Sequence, residues 1–161
     1  MKAYNPQNAI LFLMESPQPS ASKIGLETSI ETLGQAIQSS LSDDLRAPKY
    51  RGNRSPLSGH CYVASEALWH LLGGSDSGFK PMVVHFQNDT HWFLRQISTN
   101  RDVDLTADQW EEPVPYQLAK GCGFLTKTPS RRAQVLLLRV QNLLLLSTNP
   151  PEAARTSSRT L

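Results

Sequence analysis

Cysteine is scarce in this sequence, because its 161 residues include only Cys61 and Cys122. Two cysteines without a regular spacing exclude a disulfide framework, and there is no C-x-x-C pair of the kind that commonly binds zinc. An excess of charge of one sign is also missing. Sixteen Lys and Arg residues against fourteen Asp and Glu leave a net charge of +2, so the charge balance predicts neither a nucleic-acid partner nor an acidic membrane partner.

Long apolar runs are missing as well. The run AILFLM at 9–14 lies between Asn8 and Glu15 and is far shorter than the roughly 20 residues that span a bilayer. No basic region followed by an apolar stretch ending in small residues indicates a secretion signal. We therefore expect a cytoplasmic protein in a reducing environment, without membrane association.

The length predicts a single domain between two irregular ends. Residues 1–27 contain a Pro- and Ser-rich stretch that predicts a flexible N-terminal arm, whose apolar run could add an edge strand or cover a cleft. A capping-box pattern starts at Thr28 and predicts the first helix of a domain over 28–146. Residues 147–161, rich in Ser, Thr, Pro and Arg, predict a disordered tail.

Periodicity predicts an α+β domain in which helices pack on an antiparallel sheet. Apolar residues recur every three or four positions from Cys61, and Gly73-Gly74 ends that helix. A long polar loop over 43–58 precedes it. A second long helix is predicted from Thr128-Pro129 to about residue 146. The predicted strands are 79–86, 90–97 and 102–106.

Cys61 is the first candidate for chemistry. A helix start has unpaired backbone N–H groups and the positive end of the helix dipole, which favour a nucleophilic thiolate over a thiol. His91 opens the next strand and is the candidate base, and Asp104 on the neighbouring strand is the candidate acid that orients it. Asp102 lies on the same face and is the competing acid.

Each of these residues also has a structural interpretation. Cys61 could be a small core residue, His91 a hydrogen-bonded strand histidine, and Asp104 the cap of a turn at Thr106. Their conjunction favours catalysis.

Three further residues are candidates for the site. His60 could line the cleft or stabilise an oxyanion, although a loop histidine is the simpler interpretation. Trp92 could shield the catalytic pair from water. His85 competes with His91 as the base, but a role in the surface or the cleft wall fits its position better.

Cys122 could be a second thiol near the site, or a zinc ligand together with Cys61, His85 and His91. Because paired ligands are missing, zinc is the minor interpretation, and we expect no metal and no other cofactor.

Several segments together resemble a known family, the small YunG-like proteins of bacteria and their phages. These segments are GHCYVAS at 59–65, Gly73-Gly74, HWFL at 91–94, and DLT at 104–106 followed by Trp110. They span about half of the chain, and both the predicted arm and the predicted tail fall outside them.

YunG-like proteins resemble in turn the papain-like and transglutaminase-like cysteine hydrolases. The resemblance implies that fold, a triad of Cys61, His91 and Asp104, and a bacterial or infected host cell. Many relatives have Gln at the position of His60, so the oxyanion role does not transfer to that residue.

The expected reaction is acyl transfer to the Cys61 thiolate, with a thioester resolved by water or an amine. The expected partner is a peptide or protein substrate that offers a peptide bond, an isopeptide bond or a glutamine amide. One alternative is a non-catalytic binding or inhibitor protein that sequesters a ligand in the same cleft, and another is a metal-bound structural protein.

Overall fold

A computed structural model describes residues 29–52 and 55–148. The predicted N-terminal arm over 1–27, the predicted domain start at Thr28 and residues 149–161 of the predicted tail lie outside the described residues.

The described residues form three α-helices: α1 (Ile30–Ser40), α2 (Cys61–Leu71) and α3 (Arg131–Thr148). The cap of α1 is Ser29, one residue after the start of the predicted capping box, because the Ser29 hydroxyl accepts the Thr32 N–H at 3.1 Å. Gly73, with a φ of 107°, adopts the left-handed conformation just beyond α2 that the sequence predicts. None of the helices in the described ranges is both long and apolar enough to span a bilayer.

α3 extends past the end that the sequence predicts, because Ser147 and Thr148, assigned to the tail, are helical. Their hydroxyls donate to backbone carbonyls in the preceding turn, at 2.9 Å to Leu143 and 2.9 Å to Leu145. These hydrogen bonds satisfy polar side chains within the helix, so two hydroxyl residues do not end it.

Four strands form an antiparallel sheet in the order β3-β2-β1-β4, which confirms the α+β class. They are β1 (Phe79–Phe86), β2 (Asp89–Gln96), β3 (Asp102–Val103) and β4 (Lys120–Gly121). Gln87 and Asn88 join β1 to β2 with φ values of 50° and 62°. Positive φ at both turn residues matches the right-handed twist of a hairpin and fixes the register that pairs Val84 with His91.

The third strand is shorter than the predicted 102–106. The chain leaves the sheet at Asp104, whose carboxylate accepts the Thr106 N–H at 2.9 Å and so forms a local turn that competes with strand pairing. A 3₁₀ turn follows at Ala107–Gln109. The β4 strand was not predicted, since a two-residue strand beside a Gly-Cys-Gly bend has no detectable period.

Apolar side chains cover both faces of the sheet. On one face, α2 packs directly on β1 and β2, and α1 and α3 pack on α2, so that all three helices share a core with Phe79 and Leu94. The other face carries Met82, Val84 and Phe93. Residues from the irregular segment after the 3₁₀ turn cover this second face, namely Val114, Trp110, Tyr116 and Ala119. His91 lies on the second face, stacked on Phe93 at 6.4 Å between ring centroids.

The loop before α2 is held by backbone carbonyl contacts. The buried Arg46 guanidinium donates to the carbonyls of Ser55 and Ser58 at 2.8 Å each, and the Ala47 N–H donates to the Gly59 carbonyl at 3.1 Å. Gly59 has a φ of 78°, and a methyl group built on it would lie 2.5 Å from Cβ of Tyr50. The two residues before Cys61 are therefore tightly fixed.

We predict that Gly59→Ala destabilises the protein more than Gly52→Ala. Gly52 has a similar φ of 77° but open space around a built methyl group, so its substitution costs only the backbone strain of about 1–2 kcal/mol. Gly59→Ala adds the clash with Tyr50, about 1–3 kcal/mol more. Urea unfolding of both variants measures the difference. Equal free energies of unfolding would show that Tyr50 moves away from the new methyl group without destabilising the protein.

Candidate functional site

Cys61 begins α2 and is partly exposed. The His60 side chain makes no capping hydrogen bond, and the first turn of the helix contains no acidic residue. Neither a capping side chain nor a carboxylate in the first turn therefore offsets the positive end of the helix dipole, which lies at Cys61. The sulfur lies 3.8 Å from the Thr90 carbonyl oxygen, so the start of α2 meets β2 directly beside His91.

His91 is buried in the second core, and its side chain is fully inaccessible to solvent. The Nε2–H group donates to Oδ2 of Asp104 at 2.5 Å. The Trp110 ring meets the imidazole edge-on, with centroids 5.7 Å apart and planes at 89°. Because Nε2 is occupied by Asp104, Nδ1 is the nitrogen that remains for proton exchange with Cys61.

Asp104 is buried, with only 4% of its side chain exposed, and every oxygen has a donor. Its Oδ1 accepts the Thr106 N–H at 2.9 Å and the Thr106 hydroxyl at 3.3 Å. Its Oδ2 accepts the Tyr116 hydroxyl at 3.0 Å in addition to the imidazole. These donors replace the water that a buried carboxylate loses.

Asp102, the competing acid, has a different partner. Its carboxylate pairs with Arg95 through two hydrogen bonds of 2.6 and 3.0 Å. The structure therefore brings His91 together with Asp104 and leaves Asp102 in a partly exposed ion pair.

Two opposing effects act on the pKa of the His91 imidazole. Burial lowers it, but hydrogen bonds and negative charge from Asp104 and Cys61 outweigh burial and raise the pKa to about 9. Burial, followed by the charge of Asp104, raises the pKa of Tyr116, so the phenol keeps its proton and remains a donor. Near neutral pH the His91 ring, which contacts both Asp104 and Cys61, is accordingly an imidazolium.

His60 is buried outside this arrangement. Its Nε2 lies 2.9 Å from the Ser42 carbonyl oxygen, which requires the proton on Nε2. Within the described ranges Nδ1 has no partner, and burial lowers the pKa so that the ring is neutral. Its one N–H is engaged by Ser42, so His60 does not offer a donor to an oxyanion in this arrangement.

Trp92 does not lie beside the His91–Asp104 pair. Successive residues of a strand point to opposite faces, and the Trp92 ring packs instead against Tyr62 and Phe124, with centroids 5.0 and 5.6 Å away. Trp110 takes the shielding position against the imidazole.

The remaining candidates lie apart. His85 is exposed, and its Nδ1 lies 3.2 Å from the Thr90 hydroxyl. Cys122 is exposed beside β4, with its sulfur 3.6 Å from the Gly123 carbonyl oxygen. In the part of the chain that the structure describes, no group of three or more His, Cys, Asp or Glu residues is arranged to hold a metal ion.

Gln109 and Tyr116 belong to the site but were not among the sequence candidates. The Gln109 amide nitrogen lies 3.3 Å from Nδ1 of His91 and 3.0 Å from the Thr106 carbonyl oxygen. The spacing D-x-T-x-x-Q over 104–109 is a usable signal, because one short turn places its acid and its amide on the two ring nitrogens. Tyr116 has no comparable local signal.

A cleft of about 490 Å³ lies over the β1–β2 turn. It is lined by Lys49 and by residues 85–90. Thr90 belongs both to this lining and to the contact with the Cys61 sulfur. The cleft and the thiol therefore share one neighbouring residue, although Cys61 itself does not line the cleft.

Comparisons of the chain with protein-family models, with curated proteins and with solved structures find no match. The resemblance to YunG-like proteins therefore stays a prediction. A functional proposal has to be argued from the geometry of the site.

We predict that Asp104→Asn lowers stability in a pH-dependent manner. The pKa of His91 is raised from 6.5 to about 9, so the stability from its ion pair is fully present below about pH 6.5 and is lost as the pH rises through 9. The loss should be on the order of 3 kcal/mol at pH 6 and much smaller at pH 10. Melting temperatures at both values measure it.

Asp102→Asn is the matched control. Its partner Arg95 stays charged from pH 6 to 10, so the destabilisation of this variant should not change over that range. A pH-independent loss in Asp104→Asn as well would mean that His91 is neutral in the folded protein.

Proposed function

We propose that the protein is a thiol-dependent acyl-transfer enzyme, a hydrolase or an acyltransferase, with a papain-like or transglutaminase-like arrangement. In this proposal Cys61 is the nucleophile, His91 exchanges the proton and Asp104 orients the imidazole. The observation that carries it is the fully buried His91, bound through Nε2 to Asp104 and next to a cysteine at a helix start.

A purely structural role explains this geometry less well. A buried ion pair costs several kcal/mol of desolvation per ion, and apolar residues of similar volume are often equally stabilising. The polar groups around Asp104 also favour the charged form of the pair, which an inert core histidine does not need. A raised histidine pKa beside a thiol is the arrangement that acyl transfer uses.

The reaction follows from these positions. The Cys61 thiolate attacks the substrate carbonyl carbon, a C–S bond forms, and the carbonyl electron pair moves to oxygen. When the intermediate collapses, the bond to the leaving amine breaks and His91 Nδ1 gives that amine its proton. Water or a second amine then attacks the thioester carbon and gives a proton to Nδ1. The C–S bond breaks, which releases the acid or the new amide and restores the Cys61 thiolate.

Asp104 contributes through the imidazole rather than through the substrate. Its hydrogen bond to Nε2–H keeps Nδ1 on the side of Cys61, and its charge stabilises the imidazolium. Trp110 and Phe93 keep water away from the ring, which strengthens the electrostatic interaction.

The cleft beside Thr90 supports a peptide or protein substrate. Its lining includes the Lys49 ammonium group and the polar side chains of Gln87 and Asn88, which can hydrogen bond to an extended chain. In this proposal the cleft binds the chain on one side of a peptide bond, an isopeptide bond or a glutamine amide, and Thr90 connects that chain to the thiol.

We predict that iodoacetamide alkylates Cys61 faster than Cys122 at pH 7, by about tenfold or more. Cys122 is the more exposed of the two, so exposure alone would give the opposite order. His91→Ala should slow the labelling of Cys61 and leave Cys122 unchanged. Mass mapping of the labelled peptides measures both rates in one sample.

The two cysteines thus control for each other. Equally slow labelling of both, or no effect of His91→Ala, would refute the enzyme proposal and favour a non-catalytic protein that binds its ligand in the same cleft.

A further inference from the structure

The Gln109 amide contacts the ring nitrogen that acyl transfer needs. Its Nε2 lies 3.3 Å from His91 Nδ1, the atom that exchanges the proton with Cys61. Acyl transfer as proposed uses Cys61, His91 and Asp104 and leaves the role of this contact open.

The orientation of the amide is fixed by a second contact. Its Nε2 donates to the Thr106 carbonyl oxygen at 3.0 Å, and the Gln109 backbone N–H donates to the same oxygen at 3.1 Å. Turning the amide over would place its oxygen against a carbonyl oxygen, so the NH₂ end must face the ring. One N–H is used by Thr106, and the other is directed towards Nδ1.

This second N–H has a suitable acceptor in only one protonation state of His91. When Nδ1 carries a lone pair, the amide donates to it. When Nδ1 carries a proton, two donors face each other and the amide N–H loses its acceptor on the ring. An unpaired donor in a half-buried site is costly, so a negative charge arriving beside it is stabilised.

We propose that Gln109 donates this second N–H to the oxyanion that forms on the substrate carbonyl. This role rests on the proposed function. While His91 is an imidazolium, as it is near neutral pH, the second N–H has no acceptor on the ring. The first N–H, bound to the Thr106 carbonyl oxygen, keeps the amide in place, so the second is free to bind the carbonyl oxygen as that oxygen gains its charge. The bond is thus strongest in the transition state, which is the condition for rate acceleration.

Two probes of Cys61 separate this role from a structural one. Iodoacetamide alkylates the sulfur without forming an oxyanion, whereas p-nitrophenyl acetate acylates it through a tetrahedral oxyanion and releases p-nitrophenolate. In Gln109→Leu the acylation rate should fall about a hundredfold, while alkylation changes by no more than a few fold. The ratio of the two rates therefore isolates the oxyanion, and Cys61→Ser sets the background for each probe.

Gln134→Leu is the matched control. Gln134 is also partly buried, and its amide also donates to a backbone carbonyl, that of Pro129 at 2.8 Å, but it lies on α3. Its ratio should equal that of the unmodified protein. Gln109→Glu keeps the shape and removes both N–H donors, so its ratio should fall as well, and it decides the question if Gln109→Leu does not fold.

The outcomes distinguish the two proposals. A protein that acylates Cys61 with an unchanged ratio in the Gln109 variants overturns the role of Gln109 and leaves the enzyme intact. A protein in which Cys61 releases no p-nitrophenolate above the Cys61→Ser background overturns the acyl-transfer function itself, and the role of Gln109 with it.

Discussion

The rest of the site depends on the buried hydrogen bond between His91 and Asp104. A charged pair inside a domain is stable only if its other polar atoms are satisfied, and here Thr106 and Tyr116 supply the missing donors to the carboxylate. Tyr116 is itself held in place, because Arg95 donates to its carbonyl oxygen at 3.0 Å. Asp102 fixes Arg95 in turn. Asp102, the competing acid, thus supports the site indirectly, through Arg95 and Tyr116.

Cys61 is held in position by contacts that do not involve the His91–Asp104 pair. The residues before Cys61 are tied to the loop by Arg46 and by the contact of His60 with Ser42, while the β1–β2 hairpin places His91. Within α2, the fully buried Glu66 accepts the Ser130 N–H at 2.8 Å and the Ser130 hydroxyl at 2.6 Å, which joins the nucleophile helix to the start of α3. These two separately anchored segments meet at Thr90, where they place the sulfur beside the imidazole.

Local signals predicted the parts of this arrangement that local physics determines. The start of α2 at Cys61, its end at Gly73 and the alternation of β1 follow from periodicity and backbone preference, and His91 and Asp104 were assigned to neighbouring strands of one meander. The short β3, the unpredicted β4 and the covering position of Tyr116 arise from contacts between distant segments, which periodicity does not encode. Trp92 shows that proximity in sequence is a poor guide to a side-chain contact. It follows His91 directly, but alternation along the strand puts its ring on the opposite face of the sheet.

The central claim is that His91 is an imidazolium held by Asp104, and the most direct test is a pH titration of the ¹⁵N chemical shifts of its ring nitrogens. We expect His91 to titrate at about pH 9 in the unmodified protein and at a lower pH in Asp104→Asn, because the carboxylate no longer opposes the effect of burial on the pKa. Titration of His91 near its ordinary value of 6.5, with no response to Asp104→Asn, would contradict it.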